Sequence, residues 1–572
     1  MKIRYALLLG TCLALTALKV KAQTDNIELS DKQNLLIKRL DIKLRNDSVM
    51  RFTTVKPFDR KRMTERMERI DSLDKVGALG ETLTDVDRYN LRSLLMNNQD
   101  WTRYYTDSFG VRKPIFNTFF KTPAHLYAVS KPEYSLIVDP LLNLQFGHSS
   151  DGTSTYVNQR GIRVRGQVDQ RLGYYLFFSE NQERDPLYVR QYTDAHYSLP
   201  GKGYYKHYGK NGYDYFDVRG GITFHAGKNI DFQLGYDRFF IGDGYRSLFL
   251  SDNSAPFYFL KFGVQAGNVK YTAVGAQTIA PFIPNSDSTR PRNYMMFHYL
   301  TWQATDWLKI GLYENTMYNS KINGGLQVSY LNPAIFNRSM SQNTGNSAKS
   351  SIGLDFKANF AKHFELYGQW LINEFHIDKA FKFGDGNWVN KFGFQLGGKY
   401  VDAFTIKNLD LQLEGNLVRP FTYMDKWAQN NFLHYNQPLA HPLGSNFKEL
   451  VGIANYQPIP RLNIEFMASL YRKGLDTAAA YVTSIDQPNN GGDLFRNYKD
   501  HRVSDAGYFP GDGVRLNGLL GSVTASYEII QNLYFDANFT YRRHDIETIP
   551  KDHVKMFMFG LRWNMARRSF NF

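Results

Sequence analysis

Leu533-Tyr534-Phe535-Asp536-Ala537-Asn538-Phe539-Thr540-Tyr541 is the stretch that decides the fold. Successive side chains of an extended chain point to opposite faces. Leu533, Phe535, Ala537, Phe539 and Tyr541 therefore share one face, and Tyr534, Asp536, Asn538 and Thr540 the other. Leu462, Ile464, Phe466, Ala468 and Leu470 alternate in the same way with Asn463, Glu465 and Ser469, as do Leu409, Leu411 and Leu413 with Asp410, Gln412 and Glu414. From residue 132 onward the pattern recurs in roughly 18 segments of about 10–14 residues. Tight connections fall within residues 170–173, 227–230, 267–269, 305–307, 362–364, 401–408, 457–461 and 531–533. Long ones fall within 183–212, 239–255, 319–349, 420–445 and 474–514. A soluble sandwich has no reason to sort its loops by length, whereas an outer-membrane barrel has short turns on the periplasmic side and long loops outside. The predicted fold is all-β, a transmembrane antiparallel β-barrel of about 18 strands. Its apolar rows would face lipid and its polar rows the lumen. Closure would remove the sheet edges, which lipid cannot satisfy.

Composition agrees. Beyond the N-terminal region no stretch approaches the length of a membrane-spanning helix. The mean hydropathy of −0.44 has a soluble look, but a barrel turns every second residue away from lipid. Aromatic residues make up 15% of the chain, with 38 Tyr and 42 Phe, as interfacial girdles would use. Residues 1–22 read as a signal peptide: Lys2 and Arg4, an apolar run over 5–18, and Val20-Lys21-Ala22 ahead of a cut after Ala22. The rival reading is a lipoprotein signal at Cys12, the only cysteine, so the mature chain is expected to form no disulfide. The net charge of +15 falls to +11 without the four basic residues of that leader (15 − 4), which favours anionic partners such as acidic polysaccharide or lipid phosphate.

Residues 23–131 do not read as barrel. Ser30 with Gln33 forms a capping box ahead of Leu36, Leu40 and Leu44. Asp59 caps a second helix with Met63, Met67 and Ile70 on one face, ended by Gly77, and Thr84 caps a third through Leu91, Leu94 and Leu95. The expectation is a helical segment at the periplasmic end that partly fills the lumen, the alternative being a flexible extension. Residues 132–572 are the predicted barrel. They finish with a strand over residues 554–565 and the aromatic Phe572, a signal suited to barrel-assembly machinery.

Catalytic signatures are lacking: there is no G-x-S-x-G, H-E-x-x-H or P-loop. Gly242-Asp243-Gly244 resembles the start of a dinucleotide fingerprint but lies between strands with no helix start to hold a pyrophosphate. His207, His434, His441 and His501 fall in predicted loops, where solvated imidazoles are the ordinary case. No enzyme activity, cofactor or metal is expected. Three loops stand out. Residues 237–256 combine flexible glycines with Arg246, Asp252 and Asn253, and could fold into the lumen and be pinned there. Residues 435–447 could brace the mouth. Residues 188–215 carry eight tyrosines interleaved with Lys202, Lys206 and Lys210. Tyrosine offers an apolar face with a polar tip, suited to sugar rings, and lysines attract uronate or phosphate. The candidate ligand-binding residues are Tyr204, Tyr205, Lys206, Tyr208, Arg246, Asp252 and Asn253. Nucleic acid conflicts with an outer-membrane address.

The run Gly244-Tyr245-Arg246-Ser247-Leu248-Phe249-Leu250-Ser251-Asp252-Asn253 resembles the signature of the capsule-assembly Wzi family. The runs at residues 418–423 (VRPFTY) and 437–444 (QPLAHPLG) resemble its Bacteroidetes branch, the gliding-motility RemB-like proteins. The resemblance spans the predicted mature chain. It implies an outer-membrane barrel with a helical periplasmic portion that binds or anchors capsular or extracellular polysaccharide, or serves adhesion during gliding, with no catalytic residues. The alternative is a porin or substrate channel. The expected partners are polysaccharide, outer-membrane lipid and, during biogenesis, barrel-assembly machinery, with the long loops at the cell surface.

Overall fold

The computed structural model describes residues 25–571, apart from 46, 48, 106–108, 112–113, 132, 170–171, 228, 284–288, 332–336, 338–342, 344, 346, 375–382, 479–481, 548 and 550. The predicted leader at residues 1–22, Cys12 and Phe572 lie outside the described residues.

The sheet is a closed barrel of 18 long antiparallel strands, running from Tyr134–Ser149 to Asp552–Trp563. The last pairs with the first, Trp563 opposite Leu142 and Met556 opposite Ser149, so the long strands leave no open edge. Strand length runs from 8 residues at Ile230–Asp237 to 17 at Val514–Ile530, a wider spread than expected. The two-residue period sets the faces. Phe535, Phe539, Phe466, Leu470 and Leu413 are exposed on the outside, while Asp536, Thr540, Ser469 and Glu414 are buried inside. At the rim bearing the tight turns, Phe360, Phe364 and Tyr400 stack in an outward row, with ring centroids 5.6 and 4.3 Å apart. Such a row suits a membrane interface.

The tight connections follow the strands that end at Val168, His225, Ala266, Gln303, Phe360, Tyr400, Ile459 and Ile530. The opposite end carries the long loops, yet two of its strand pairs are closely spaced in sequence: one strand ends at Ser149 and the next starts at Ser154, and another ends at Ile546 and the next starts at Asp552. The loop rhythm is thus less regular than predicted.

Three helices precede the barrel among the described residues: α1 (Gln33–Leu44), α2 (Arg60–Lys75) and α3 (Asp85–Asn97). Asp59 caps α2 through the Arg62 amide, and Thr84 forms a reciprocal capping box with Asp87. The cap expected from Ser30 is not formed. Asp31 instead accepts from the Gln33 amide at 3.0 Å and from the Gln33 side chain at 3.1 Å, because its carboxylate sits two residues ahead of the amide it serves. Leu36, Leu40, Met63, Met67, Ile70, Leu91, Leu94 and Leu95 share one apolar core.

The helices are bound to the tight-turn end of the barrel. Arg39 of α1 holds Asp87 of α3 at 2.7 Å and Asp402 of the 401–408 turn at 2.5 Å, and also pairs with Asp410. Burial raises the Asp87 carboxyl, but Arg39 and Lys43 outweigh it and leave it below the ordinary range. Lys32 pairs with Glu528 at 2.5 Å, and Gln531 donates to Ser93 at 2.7 Å.

The predicted terminal strand over 554–565 ends at Trp563. The chain then turns inward. Arg562 donates to the Met565 carbonyl at 2.9 Å, and residues 564–571 lie inside the barrel. Trp563 faces Leu533, the first residue of its strand, so the partners on that side end there, and it faces Leu142 on the other side.

Candidate functional site

The loop at residues 238–256 descends into the lumen and meets the N-terminal segment. Phe240 and Ile241 pair as a short antiparallel ladder with Lys56 and Val55. Asp243 accepts from Thr54 at 2.9 Å and faces Lys309 at 2.6 Å, while the Lys399 ammonium donates to its carbonyl at 2.7 Å. One carboxylate of the wall, Glu414, accepts two consecutive loop amides: Tyr245 at 2.7 Å and Arg246 at 3.0 Å. Phe239, Ile241, Leu248, Phe249 and Leu250 then join Phe297, Tyr299 and Tyr313 of the wall in the largest apolar cluster of the molecule. Burying this much aromatic and aliphatic surface holds the loop inside the barrel.

The tail shares this space. Arg568 meets Glu183 with Nη2–Oε1 at 2.8 Å and Nε–Oε2 at 3.1 Å, and donates to the Pro200 carbonyl at 3.0 Å. The Arg246 guanidinium donates to the Asn571 carbonyl at 2.7 Å, and Asn571 donates to the Tyr245 hydroxyl at 2.9 Å. Residues 54–56, the loop and the tail together occupy the lumen, with the helices at its tight-turn end.

Above them the long loops interlock. Residues 419–446 form a small hairpin, Leu433–His434 against Gln437–Pro438. Gln437 donates to the Leu199 carbonyl at 3.0 Å and accepts from the Gly201 amide at 2.8 Å. Asn436 donates to the carbonyls of His196 at 2.9 Å and Phe282 at 2.8 Å. His434 accepts the Ile279 amide at Nδ1, 2.9 Å away, so its proton sits on Nε2, which faces the Pro256 carbonyl at 3.0 Å. Burial holds this imidazole down to about 4. His434 and His441 are therefore buried parts of the mouth, which corrects the expectation of solvated loop histidines; His441 contacts Glu449 at 2.7 Å.

A cleft of about 110 Å³ opens where three loops converge. This is the scale of one ring-sized ligand, since an apolar cavity of about 150 Å³ takes up benzene. Its first wall is helix α4, Leu187–His196, where the Tyr192 and His196 rings stack at 4.0 Å and Phe495 tilts against His196 at 5.3 Å. Tyr471, Leu433 and Leu443 complete the apolar lining, and Lys473, Asp476 and Asp493 supply charge. Burial, with Asp493 adding to it, lifts the Asp476 carboxyl to about 6 against the pull of Arg496 and the Asn490 amide. One oxygen of Asp493, Oδ2, is buried without a hydrogen-bond partner. Aromatic faces beside a few polar groups are what a sugar ring needs.

The residues singled out from sequence separate into two groups. Tyr204 and Tyr208 are exposed on the outer rim, with Lys206 and Tyr208 in the three-residue strand Lys206–Tyr208. Arg290 sits over Tyr204, Phe282 and Tyr435 at 5.0–5.2 Å. Tyr205 packs edge-on to Tyr213 at 4.9 Å. Arg246 and Asn253 turn inward, and Asp252 engages through its backbone. The Asp252 carbonyl accepts from Arg238 at 3.2 Å, and Asn253 donates to the Pro438 carbonyl at 3.2 Å. Of the eight tyrosines in residues 188–215, Tyr188, Tyr192, Tyr213 and Tyr215 are buried. Sequence reasoning missed Tyr471, His196 and Phe495: Tyr471 lies just before the base of one predicted long loop, and His196 and Phe495 lie in the middle of two such loops, with no local pattern to mark them.

Neither a protein-family model nor a curated protein sequence matches this chain. Solved structures do. Wzi of Escherichia coli, an outer-membrane protein involved in group 1 capsule assembly and described as a carbohydrate-binding β-barrel, aligns with a TM-score of 0.53 at 10% identity, covering 96% of this chain and 100% of its own. OprD of Pseudomonas aeruginosa aligns with a TM-score of 0.41 at 11% identity over 75% of this chain and 94% of its own. The likeness to Wzi is one of fold: a closed 18-strand barrel of the outer-membrane type.

Proposed function

We propose that this chain is a non-enzymatic outer-membrane protein that holds capsular or extracellular polysaccharide at the cell surface. The observation that carries the proposal is the aromatic cleft of Tyr192, His196, Phe495 and Tyr471 at the long-loop end, above a lumen filled by the chain's own segments. Residues 23–131 act as the periplasmic plug of a barrel formed by residues 132–572, and the long loops face outward. Tyr204, Tyr205, Lys206 and Tyr208 extend the cleft along the rim, where tyrosine faces stack on sugars and the lysine draws acidic groups. Arg246, Asp252 and Asn253 shape the mouth from beneath. The fold shared with a carbohydrate-binding barrel is consistent with this reading. The same hold on polymer would serve adhesion and, in a gliding cell, traction, as the RemB-like resemblance implies. A filled lumen argues against the porin alternative.

The test is binding of acidic and neutral bacterial polysaccharides to the purified full chain. Phe495→Ala, and separately Tyr204→Ala with Tyr208→Ala, should each weaken retention. Added salt should weaken it further, because exposed charges are screened beyond about 10 Å at 0.1 M. Unchanged retention in both variants, with normal folding, overturns the proposal.

A further inference from the structure

The rim bearing the tight turns carries a feature that neither the barrel nor a polysaccharide role uses. Residues 114–120 read Pro-Ile-Phe-Asn-Thr-Phe-Phe. Ile115 and Phe119 exchange both backbone hydrogen bonds, at 3.0 and 2.9 Å, and the Thr118 amide donates to the Ile115 carbonyl at 3.1 Å. Phe116 and Asn117 hold φ of 50° and 54°. Two successive positive φ values define the primed type I turn, whose first central residue is ordinarily Asn, Asp or Gly. A phenylalanine held there is a strained choice for a bulky side chain. It is also the most exposed large apolar residue described, at 86%, beside Ile115 at 53% and Phe119 at 37%.

The hairpin stands outside the barrel wall. The strand Tyr127–Ser130 pairs with residues 135–138 along the edge of Tyr134–Ser149 that strand Asp552–Trp563 covers higher up. This brings the Phe120 ring onto Trp563, 6.0 Å between centroids and 7° from parallel. Trp563 ends the outward row of Phe557, Phe559 and Leu561. The exposed tip is therefore continuous with the lipid-facing surface of the barrel, and Lys121, also exposed, follows it directly. Aromatic tips with adjacent bases suit the boundary between acyl chains and phosphate groups.

We propose that residues 114–120 form a foot that dips into the phospholipid leaflet at the tight-turn side, with Ile115, Phe116 and Phe119 among the upper acyl chains. The proposal rests on the membrane placement argued above. Its test uses the full chain with Cys12→Ser, carrying one nitroxide at a time on Phe116→Cys, Phe559→Cys or Gly209→Cys, in phosphatidylethanolamine–phosphatidylglycerol vesicles. Collisions with oxygen report lipid, and collisions with a water-soluble nickel chelate report solvent. The expected result is an oxygen-to-nickel ratio at residue 116 near that of the lipid-facing residue 559 and well above that of the loop residue 209. A ratio at 116 matching 209, with 559 still lipid-like, overturns the foot and leaves the barrel in its membrane. A residue 116 label immobilised and shielded from both reagents overturns it in favour of a protein partner or second copy. A solvent-like ratio at 559 removes the membrane placement and the foot with it. As a second variant, Ile115→Asp with Phe116→Asp should move a label at Thr118→Cys from oxygen-rich to nickel-rich collisions without changing the heat resistance of the barrel.

Discussion

Arg568 and Glu183 stand 385 residues apart in sequence and share a two-pronged ion pair, with contacts of 2.8 and 3.1 Å. Glu183 lies near the loop-bearing end of the strand Leu172–Arg184. Arg568 follows, five residues on, a strand that ends at the opposite rim. Five extended residues span about 17 Å, so the pair draws the tail up through the lumen. The Tyr215 hydroxyl, 3.1 Å from the same carboxylate, completes the site.

Arg568→Ala should therefore destabilise the barrel strongly. Removing one partner of a buried pair leaves an uncompensated charge and costs about 3–5 kcal/mol. A lowered temperature for the heat-induced mobility shift on gels would register it. Arg568→Lys should lose less, because it keeps the charge but not the paired geometry.

Glu414→Ala should free the lumen loop more than Arg246→Ala does. Glu414 accepts the Tyr245 and Arg246 amides and the Tyr367 hydroxyl, and each buried donor left without a partner costs about 1–3 kcal/mol. Arg246→Ala removes contacts to Asn571 and Glu449 but leaves the amide anchors in place. Single-channel recordings should show frequent openings with Glu414→Ala, fewer with Arg246→Ala, and few in the parent chain.

Epitope tags inserted after Gly209 or Gly507 should be cut by protease on intact cells. Tags after Gly227 or Gly267 should be cut only once the outer membrane is breached. All four positions lie in connections between elements, and the two pairs sit at opposite ends of the barrel. The reverse pattern would invert the orientation.

Acid should loosen the mouth. In the unfolded chain His434 takes up its proton around the ordinary value of 6.5, whereas burial in the fold holds it to about 4. Its contribution to stability is complete above pH 6.5 and declines as pH falls through 6.5 toward 4, because the unfolded state binds the proton first. At pH 5 the loss amounts to about 2 kcal/mol. The protection factors of the amides at residues 433–437, taken relative to the intrinsic exchange rate at each pH, should fall between pH 7.5 and 5, and His434→Gln should remove part of that dependence. His196, likewise held to about 4 by burial, supplies a further part.

The barrel wall was legible because each strand carries its own evidence. Leu533 to Tyr541 alternates whatever its neighbours do, and the Met63, Met67 and Ile70 stripe marks α2 in the same local way. The mouth was legible only in fragments. The cleft needs Tyr192, Tyr471 and Phe495 from three separate regions, and nothing local to any of them announces the meeting. His434 and His441 looked solvated because polarity alone cannot distinguish a free imidazole from one enclosed by Ile279, Pro256 and Glu449. Arg246 could be read as a pin, yet its receptor, the Asn571 carbonyl, lies in a tail that looked like the end of a strand.

The course of that tail has a practical consequence. A barrel with an even number of strands delivers the chain after its last strand to the same side as the chain before its first, where an affinity handle is customarily placed. Here residue 571 lies indoors, beside Tyr245. A handle inserted directly after residue 571 would have to be housed within the protein or would expel the tail. Poor capture on resin, or a fusion that functions worse than the untagged chain, would then reflect crowding of the interior rather than failed export.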